Sequence, residues 1–415
     1  MTMRKIVVVG NGIAGLTACD SLRSAGFDGE LTVVGAERHQ PYSRPALSKA
    51  LLHAVEENSA DGNGDGGLQA HVLPEPTHEA TELLGVSATG LDVEARLVRL
   101  DGGGELPYDG LVLASGSRAK RLDAAARNTQ KKGTAPPQQD GHLRELTLRT
   151  IEDAIHLKER VASRPSVIVI GGGALGMEVA SGCVHVGCEV TLVADVKPLA
   201  RQLGDHLADI FTSAAIRRGL RVVGGGKARL VDRGDSATVV LADGTELEAD
   251  LVVTAIGDEP NIDWLAGSPL LTDGSLRVDS RGRLRPDIVA AGDVAFFPTL
   301  RGVQRVPLWT SAIDQARVAA VGLLQGDAAP EFNFQPYFWT EGFGLSLKAV
   351  GFTPVAGAPD YCEPGGESGS ALLRWDNPDG SGTAAALNYR IPIPRLRRLA
   401  DAGPAALRPN APARV

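Results

Sequence analysis

The chain opens on an unbroken β-branched run, Ile6–Val9, the pattern of a strand buried on both faces. Glycines interrupt it at Gly10, Gly12 and Gly15. Apolar positions then recur at helical spacing through Ala18, Cys19 and Leu22, and Gly26 reads as a helix C-cap. A second apolar run, Leu31–Val34, completes a strand–helix–strand unit. The same pattern returns over residues 167–193: Val167–Ile170, then Gly171, Gly173 and Gly176, a second helical stretch, Gly187 as the cap, and Val190–Val193. The glycines of the two segments correspond at one offset of 161 positions.

A second pair of segments lies downstream of the first. LVRLDGGGELPYDGLVLASG (97–116) and VVLADGTELEADLVVTAIG (239–257) each read as an alternating strand, an Asp-Gly turn, a short strand, an acid and an apolar strand ending in glycine. The chain therefore holds two copies of one large unit, each a βαβ start followed by a small meander. Residues 149–163 predict an amphipathic helix leading into the second copy. The stretches 56–67 (acidic, glycine-rich), 127–141 (polar, with two prolines) and 403–415 predict loops and a frayed tail.

Composition narrows the class. Fifty of 415 residues are glycine, against a typical ~7%, with no period of three, so the excess belongs to turns and close backbone approach. Four cysteines exclude a disulfide-built secreted scaffold. No apolar run reaches about 18 residues, so no membrane span is expected. A net charge of −8 argues against a general nucleic-acid binder. MTMRK leads straight into the first strand, so a cytoplasmic protein is expected.

GNGIAG (Gly10–Gly15) and GGGALG (Gly171–Gly176) both fit G-x-G-x-x-G. The first glycine allows the tight turn, the second lets backbone approach a pyrophosphate, and the third lets helix and strand pack closely. The helix N-terminus adds free N–H groups and positive potential. An acid about 20 residues further on is expected to hold an adenosine ribose. Glu37 and Asp195 take those places, each after an alanine. An acid favours NADH, while Lys197 and Arg201 leave NADPH open. Asp293, in the strand-then-Gly-Asp segment IVAAGDV, is placed either to accept from polyol hydroxyls or to cap a helix.

These motifs carry a resemblance. Up to about residue 350 the chain resembles flavoprotein reductases with two dinucleotide-binding domains, and most of all the NADH-dependent ferredoxin reductases that serve oxygenases. PYSRPALSK (Pro41–Lys49) is similar to that group's P-Y-x-R-P-x-L-S-K. YDGLVLASGS (Tyr108–Ser117), AAGDV (Ala290–Val294), LWTSAIDQARVAA (Leu308–Ala320) and PYFWTEGFGLSLKAVG (Pro336–Gly351) resemble its later segments. Ser115 stands where the group has Thr, Ser311 where it has Asn, and Thr340–Gly342 where it has Ser-Asp-Gln.

The resemblance implies an α/β fold of glutathione-reductase-like architecture. It would comprise an FAD domain (1–120 and 258–328), an NAD(P) domain (145–257), a small α+β C-terminal domain (329–400) and a tail (401–415). Both nucleotide domains would be Rossmann-like and three-layered, with β-meanders. It implies FAD held by Gly10, Gly12, Ile13, Ala14, Gly15, Glu37, Arg44, Lys49, Ala114, Ser115, Gly116 and Asp293, with Trp309 and Trp339 flanking the flavin. NADH, or alternatively NADPH, would be held by Gly171, Gly173, Ala174, Leu175, Gly176, Asp195 and Gly257. Lys49 would stabilise charge on the reduced flavin. Glu178 would lie near the nicotinamide, its alternative being a helix-surface carboxylate. No metal is expected.

CVHVGC (Cys183–Cys188) resembles the redox pair of glutathione-reductase-type enzymes but lies in the wrong copy, and Pro41–Lys49 holds no cysteine. Electrons are therefore expected to leave flavin for an external acceptor, a ferredoxin-type iron–sulfur protein. Arg301, Arg305, Arg390, Arg395, Arg397 and Arg398 are candidate docking cations. Alternatives are a flavin oxidoreductase acting on a small molecule or dioxygen, and a redox interaction protein resembling apoptosis-inducing factor.

Overall fold

Alternation of buried strands with glycine-capped helices produces two parallel sheets in this computed structural model. It describes residues 3–49, 71–122, 145–232, 237–366 and 369–407. The stretches 56–67 and 127–141 and the tail beyond 407 lie outside the described residues. The chain divides into two units. Among the described residues the first comprises 3–43, 71–118 and 259–337, and the second comprises 44–49, 119–122, 145–258 and 338–407.

In the first unit, β1 (Lys5–Val9) leads through the glycine loop into α1 (Ile13–Ser24) and back to β2 (Glu30–Gly35), which pairs parallel with β1, Lys5 opposite Glu30. The six-stranded sheet runs Arg283–Arg285, Ile288–Ala290, Gly110–Leu113, β1, β2, Thr81–Leu84. All pairs are parallel except the first. A meander of Ala88–Asp92, Leu97–Leu100 and Glu105–Pro107 packs its apolar side on one face. On the other, Ala18, Cys19 and Leu22 of α1 meet Ala312, Ala316, Ala319 and Leu323 of the helix Trp309–Gln325. These residues recur at helical spacing, so one stripe of small side chains faces α1.

The second unit repeats the plan. β3 (Ser166–Ile170), α2 (Ala174–His185) and β4 (Glu189–Ala194) form its βαβ start. Its parallel sheet runs Arg221–Gly224, β4, β3, Leu251–Thr254, Glu145–Leu146, with a meander over 228–249. The amphipathic stretch forms the helix Ile151–Val161, closed by a capping box between Thr150 and Asp153. Residues 337–387 form a five-stranded antiparallel sheet, on which the helix Ile393–Ala402 lays Leu396, Leu399 and Ala400. Among the described residues no helix is long and apolar enough to cross a membrane.

Candidate functional site

The two glycine loops share one backbone. Gly10 and Gly171 have φ of 118° and 116°. A Cβ on Gly10 would fall 2.0 Å from the Ala114 carbonyl oxygen, and one on Gly171 would fall 2.2 Å from that of Ala255. A Cβ on Gly15 or Gly176 would lie 1.8 or 1.9 Å from the carbonyl oxygen of its loop's first glycine. Only glycine permits such close packing of strand, turn and helix.

Of the residues expected to hold FAD, Glu37, Ala114, Ser115, Gly116, Asp293 and Trp309 lie in the first unit with this loop, while Arg44 and Lys49 lie in the second. Gly12 precedes α1, which lacks a side-chain cap, and a Cβ on Gly12 would meet nothing within 4 Å. The Asn11 amide nitrogen and oxygen are buried and have no hydrogen-bond partner among the described residues. Open space over the second glycine, an uncapped helix N-terminus and an orphaned amide fit a dinucleotide pyrophosphate. Glu37, two residues past β2, accepts the Tyr42 hydroxyl at 2.6 Å. Ser115 and Asn261 lock the end of the strand Gly110–Leu113: the Ser115 hydroxyl donates to the Asn261 carbonyl at 2.8 Å, and the Asn261 amide to the Ser115 carbonyl at 2.9 Å. The Gly116 carbonyl accepts the Asn261 N–H at 2.9 Å.

Asp293 follows Gly292, whose φ is 79° and whose Cβ would lie 2.9 Å from Ala14 Cβ. The turn at Gly292 thus packs on the first turn of α1, and the Asp293 carboxylate accepts the Ser117 hydroxyl at 3.2 Å. The buried Gln315 Oε1 accepts the Gly292 N–H at 2.9 Å and fixes the turn. Trp309, half-buried, opens the same helix. Arg305 donates to the Asp293 carbonyl at 3.2 Å, which ties down its own loop. Tyr42 and Gln315 lie in the quoted segments PYSRPALSK and LWTSAIDQARVAA, whereas Asn11 and Asn261 escape sequence reading, since nothing local marks the burial of the one or the bond of the other to Ser115.

The second unit holds Arg44, Lys49, Glu178 and Trp339 as well as the second glycine loop, and Lys49 contacts both Glu178 and Trp339. Glu178, one turn into α2, is buried, and its carboxylate is fully engaged. Oε1 accepts the Thr340 hydroxyl at 2.6 Å and lies 2.9 Å from Lys49 Nζ; Oε2 accepts the Ser48 hydroxyl at 2.6 Å. Lys49 Nζ also stands 6.0 Å from the centroid of Trp339, at the limit of a cation–π contact. Arg44 donates to the Arg149 carbonyl at 2.8 Å. Phe343 N–H donates to Ser181 Oγ at 2.7 Å, pinning the turn after Tyr337–Gly342 onto α2. The surface alternative for Glu178 is set aside by this burial.

Asp195 directly follows β4 and pairs with Arg201 at 2.7 Å. Lys197 reaches Asp209 at 2.7 Å and Asp205 at 3.2 Å, and those two hydrogen bonds raise its pKa. Both cations considered for a 2′-phosphate are thus already partnered by carboxylates. Gly257, φ 105°, ends the segment after Leu251–Thr254, and its carbonyl accepts the Lys120 N–H at 3.0 Å. Cys183 and Cys188 are free and buried, and burial pushes the Cys183 thiol up to about 12. Such thiols are inert.

Two dinucleotide loops, each opening a Rossmann-like sheet, define an oxidoreductase with two nucleotide-binding folds. The model of the family described as pyridine nucleotide-disulphide oxidoreductase matches residues 4–316, and the chain belongs to that family. It is similar to the ferredoxin–NAD(+) reductase component of the p-cumate 2,3-dioxygenase system of Pseudomonas putida, 33% identical over 84% of this chain and 81% of that protein. It is 32% identical to the corresponding component of the anthranilate 1,2-dioxygenase system of Burkholderia cepacia, over 97% of this chain and 95% of that protein. A crystal structure of the covalent putidaredoxin reductase–putidaredoxin complex superposes with a TM-score of 0.76 at 25% identity, covering 94% of this chain and 90% of that one.

Proposed function

We propose that the chain is an FAD-dependent, NADH-oxidising reductase that passes electrons to a ferredoxin-type iron–sulfur partner of an oxygenase. The observation that carries this reading is the pair of dinucleotide loops in one chain whose segment Pro41–Lys49 has no cysteine to relay electrons. Bound FAD would supply acceptance of a hydride and release of single electrons. In the first unit Gly10–Gly15 would cradle its pyrophosphate, Glu37 would face its adenosine ribose, and Asp293 would hold its ribityl hydroxyls. In the second unit Gly171–Gly176 and Asp195 would bind NADH. Glu178 would orient the Lys49 ammonium, which would stabilise negative charge at the reaction centre.

The partner's surface is read from charge. Ferredoxins are usually acidic, and the exposed Arg390, Arg395 and Arg398 on and before the helix Ile393–Ala402 offer complementary charge. We place the protein in the cytoplasm, where NADH is produced and thiols stay reduced.

Anaerobic NADH titration of the purified protein should bleach its flavin absorbance. Cytochrome c reduction should then depend on added ferredoxin, fall with salt, and fall further when the three arginines are reversed to glutamate. Protein that binds no flavin overturns the reading. Fast turnover with a small acceptor and none with ferredoxin moves the function to a small-molecule oxidoreductase.

A further inference from the structure

The second glycine loop differs from the first in what lies over it. At Gly173 the outward space is filled: Gln202 Oε1, Cδ and Nε2 lie 3.5, 3.8 and 3.8 Å from the place of a Cβ. Gln202 Oε1 accepts the Ala174 N–H, the first of α2, at 2.7 Å. A helix-opening N–H beside the second glycine is a donor that a dinucleotide pyrophosphate uses.

Gln202 sits on α3 (Ala200–Leu203), the single turn within the strap that follows β4. The strap is fastened at several points. Leu199 N–H donates to the Gly172 carbonyl at 2.7 Å, with Leu199 buried at φ 65°. Leu203 is buried, and its carbonyl accepts the Val355 N–H at 3.3 Å. A Cβ on Gly204 would fall 2.0 Å from the Val355 carbonyl oxygen. The strap backbone is fixed, while the Gln202 side chain is exposed and can swing into solvent once its bond to the Ala174 N–H breaks.

We propose that Gln202 is a displaceable cap on the nicotinamide-nucleotide loop, so that its amide must leave the Ala174 N–H before a nucleotide can bind. This rests on the reading of Gly171–Gly176 as the NADH loop. The Gln202 carbonyl oxygen stands in for a phosphate oxygen, and every binding event exchanges one hydrogen bond for another. The cap therefore weakens NADH and NAD+ alike and favours departure of the oxidised product. Rotation of an exposed side chain is fast, on a picosecond-to-nanosecond scale, so the cap acts on affinity and adds no slow step.

Calorimetric titration of the oxidised FAD-loaded protein with NAD+ tests this without hydride transfer. Gln202→Ala should bind about fivefold more tightly, the effect of one ordinary hydrogen bond. Gln202→Glu keeps the acceptor, adds negative charge beside the pyrophosphate, and should bind about fivefold or more weakly. Amide exchange at Ala174 should be faster in the nucleotide-free Ala variant than in the parent and equal once NAD+ is bound. Unchanged or weaker binding by the Ala variant overturns the cap, since Gln202 would then be a bystander or a direct ligand contact. Binding of NAD+ by neither the parent nor either variant overturns the NADH-loop reading itself, and the cap with it.

Discussion

The loops Gly10–Gly15 and Gly171–Gly176 are the same turn built twice, yet their surroundings differ. The first leaves its second glycine open and holds the orphaned Asn11 amide; the second has glycine at that position and the Gln202 amide over its helix. The first is followed by Glu37 bound to a tyrosine hydroxyl, the second by Asp195 bound to arginine. An open loop with unsatisfied groups suits a group kept for the life of the protein. A loop with a replaceable partner suits a nucleotide that comes and goes at every turnover.

Breaking the shared turn should have the largest effect and separate the two roles. Gly15→Ala drives a Cβ into the Gly10 carbonyl, and flavin affinity should fall about a hundredfold, read as protein purified without yellow colour. Gly176→Ala meets the same clash in the second copy, so the protein should stay yellow while NADH no longer bleaches it.

The next largest effect belongs to Glu178. Gln in its place leaves Lys49 without its carboxylate, and stability should fall by about 3 kcal/mol in denaturant titration. The double variant with Lys49→Met should recover part of that loss. Additive losses would show that the two side chains do not act as a pair.

Asp195→Asn releases Arg201, and kcat/KM for NADPH relative to NADH should rise about tenfold. Adding Arg201→Ala should cancel the gain. The smallest effect is one of pH. His78 is buried in the first unit, and its pKa is lowered chiefly by that burial. The unfolded chain therefore binds a proton that the folded one resists. This contribution is intact above about 6.5 and declines as pH falls from there toward the folded pKa. His78→Phe should flatten that part of the stability curve.

The duplication was legible because strand, glycine spacing and cap repeat locally: Gly10, Gly12, Gly15 and Gly26 return as Gly171, Gly173, Gly176 and Gly187. Position also exposed CVHVGC as a decoy, since Cys183 falls inside α2 and Cys188 just before β4. What the sequence withheld is contact made across the fold. Glu178 is buried by Ser48 and Thr340, 130 and 162 positions away, so its own helix looks ordinary. Gln202 gains its meaning from an N–H 28 positions upstream, and nothing in PLARQLG marks it. Asn261 is silent for the same reason.

The sheet of the first unit has a consequence for how the protein is made. Strand Gly110–Leu113 waits for Ile288–Ala290 as its parallel neighbour, and α1 waits for the helix Trp309–Gln325. The second sheet closes within residues 145–254. On the ribosome the later copy can therefore finish its sheet first, while the earlier strands stay unpaired at one edge for roughly 10–35 s of elongation. The N-terminal half is thus the part of the nascent chain most dependent on chaperones.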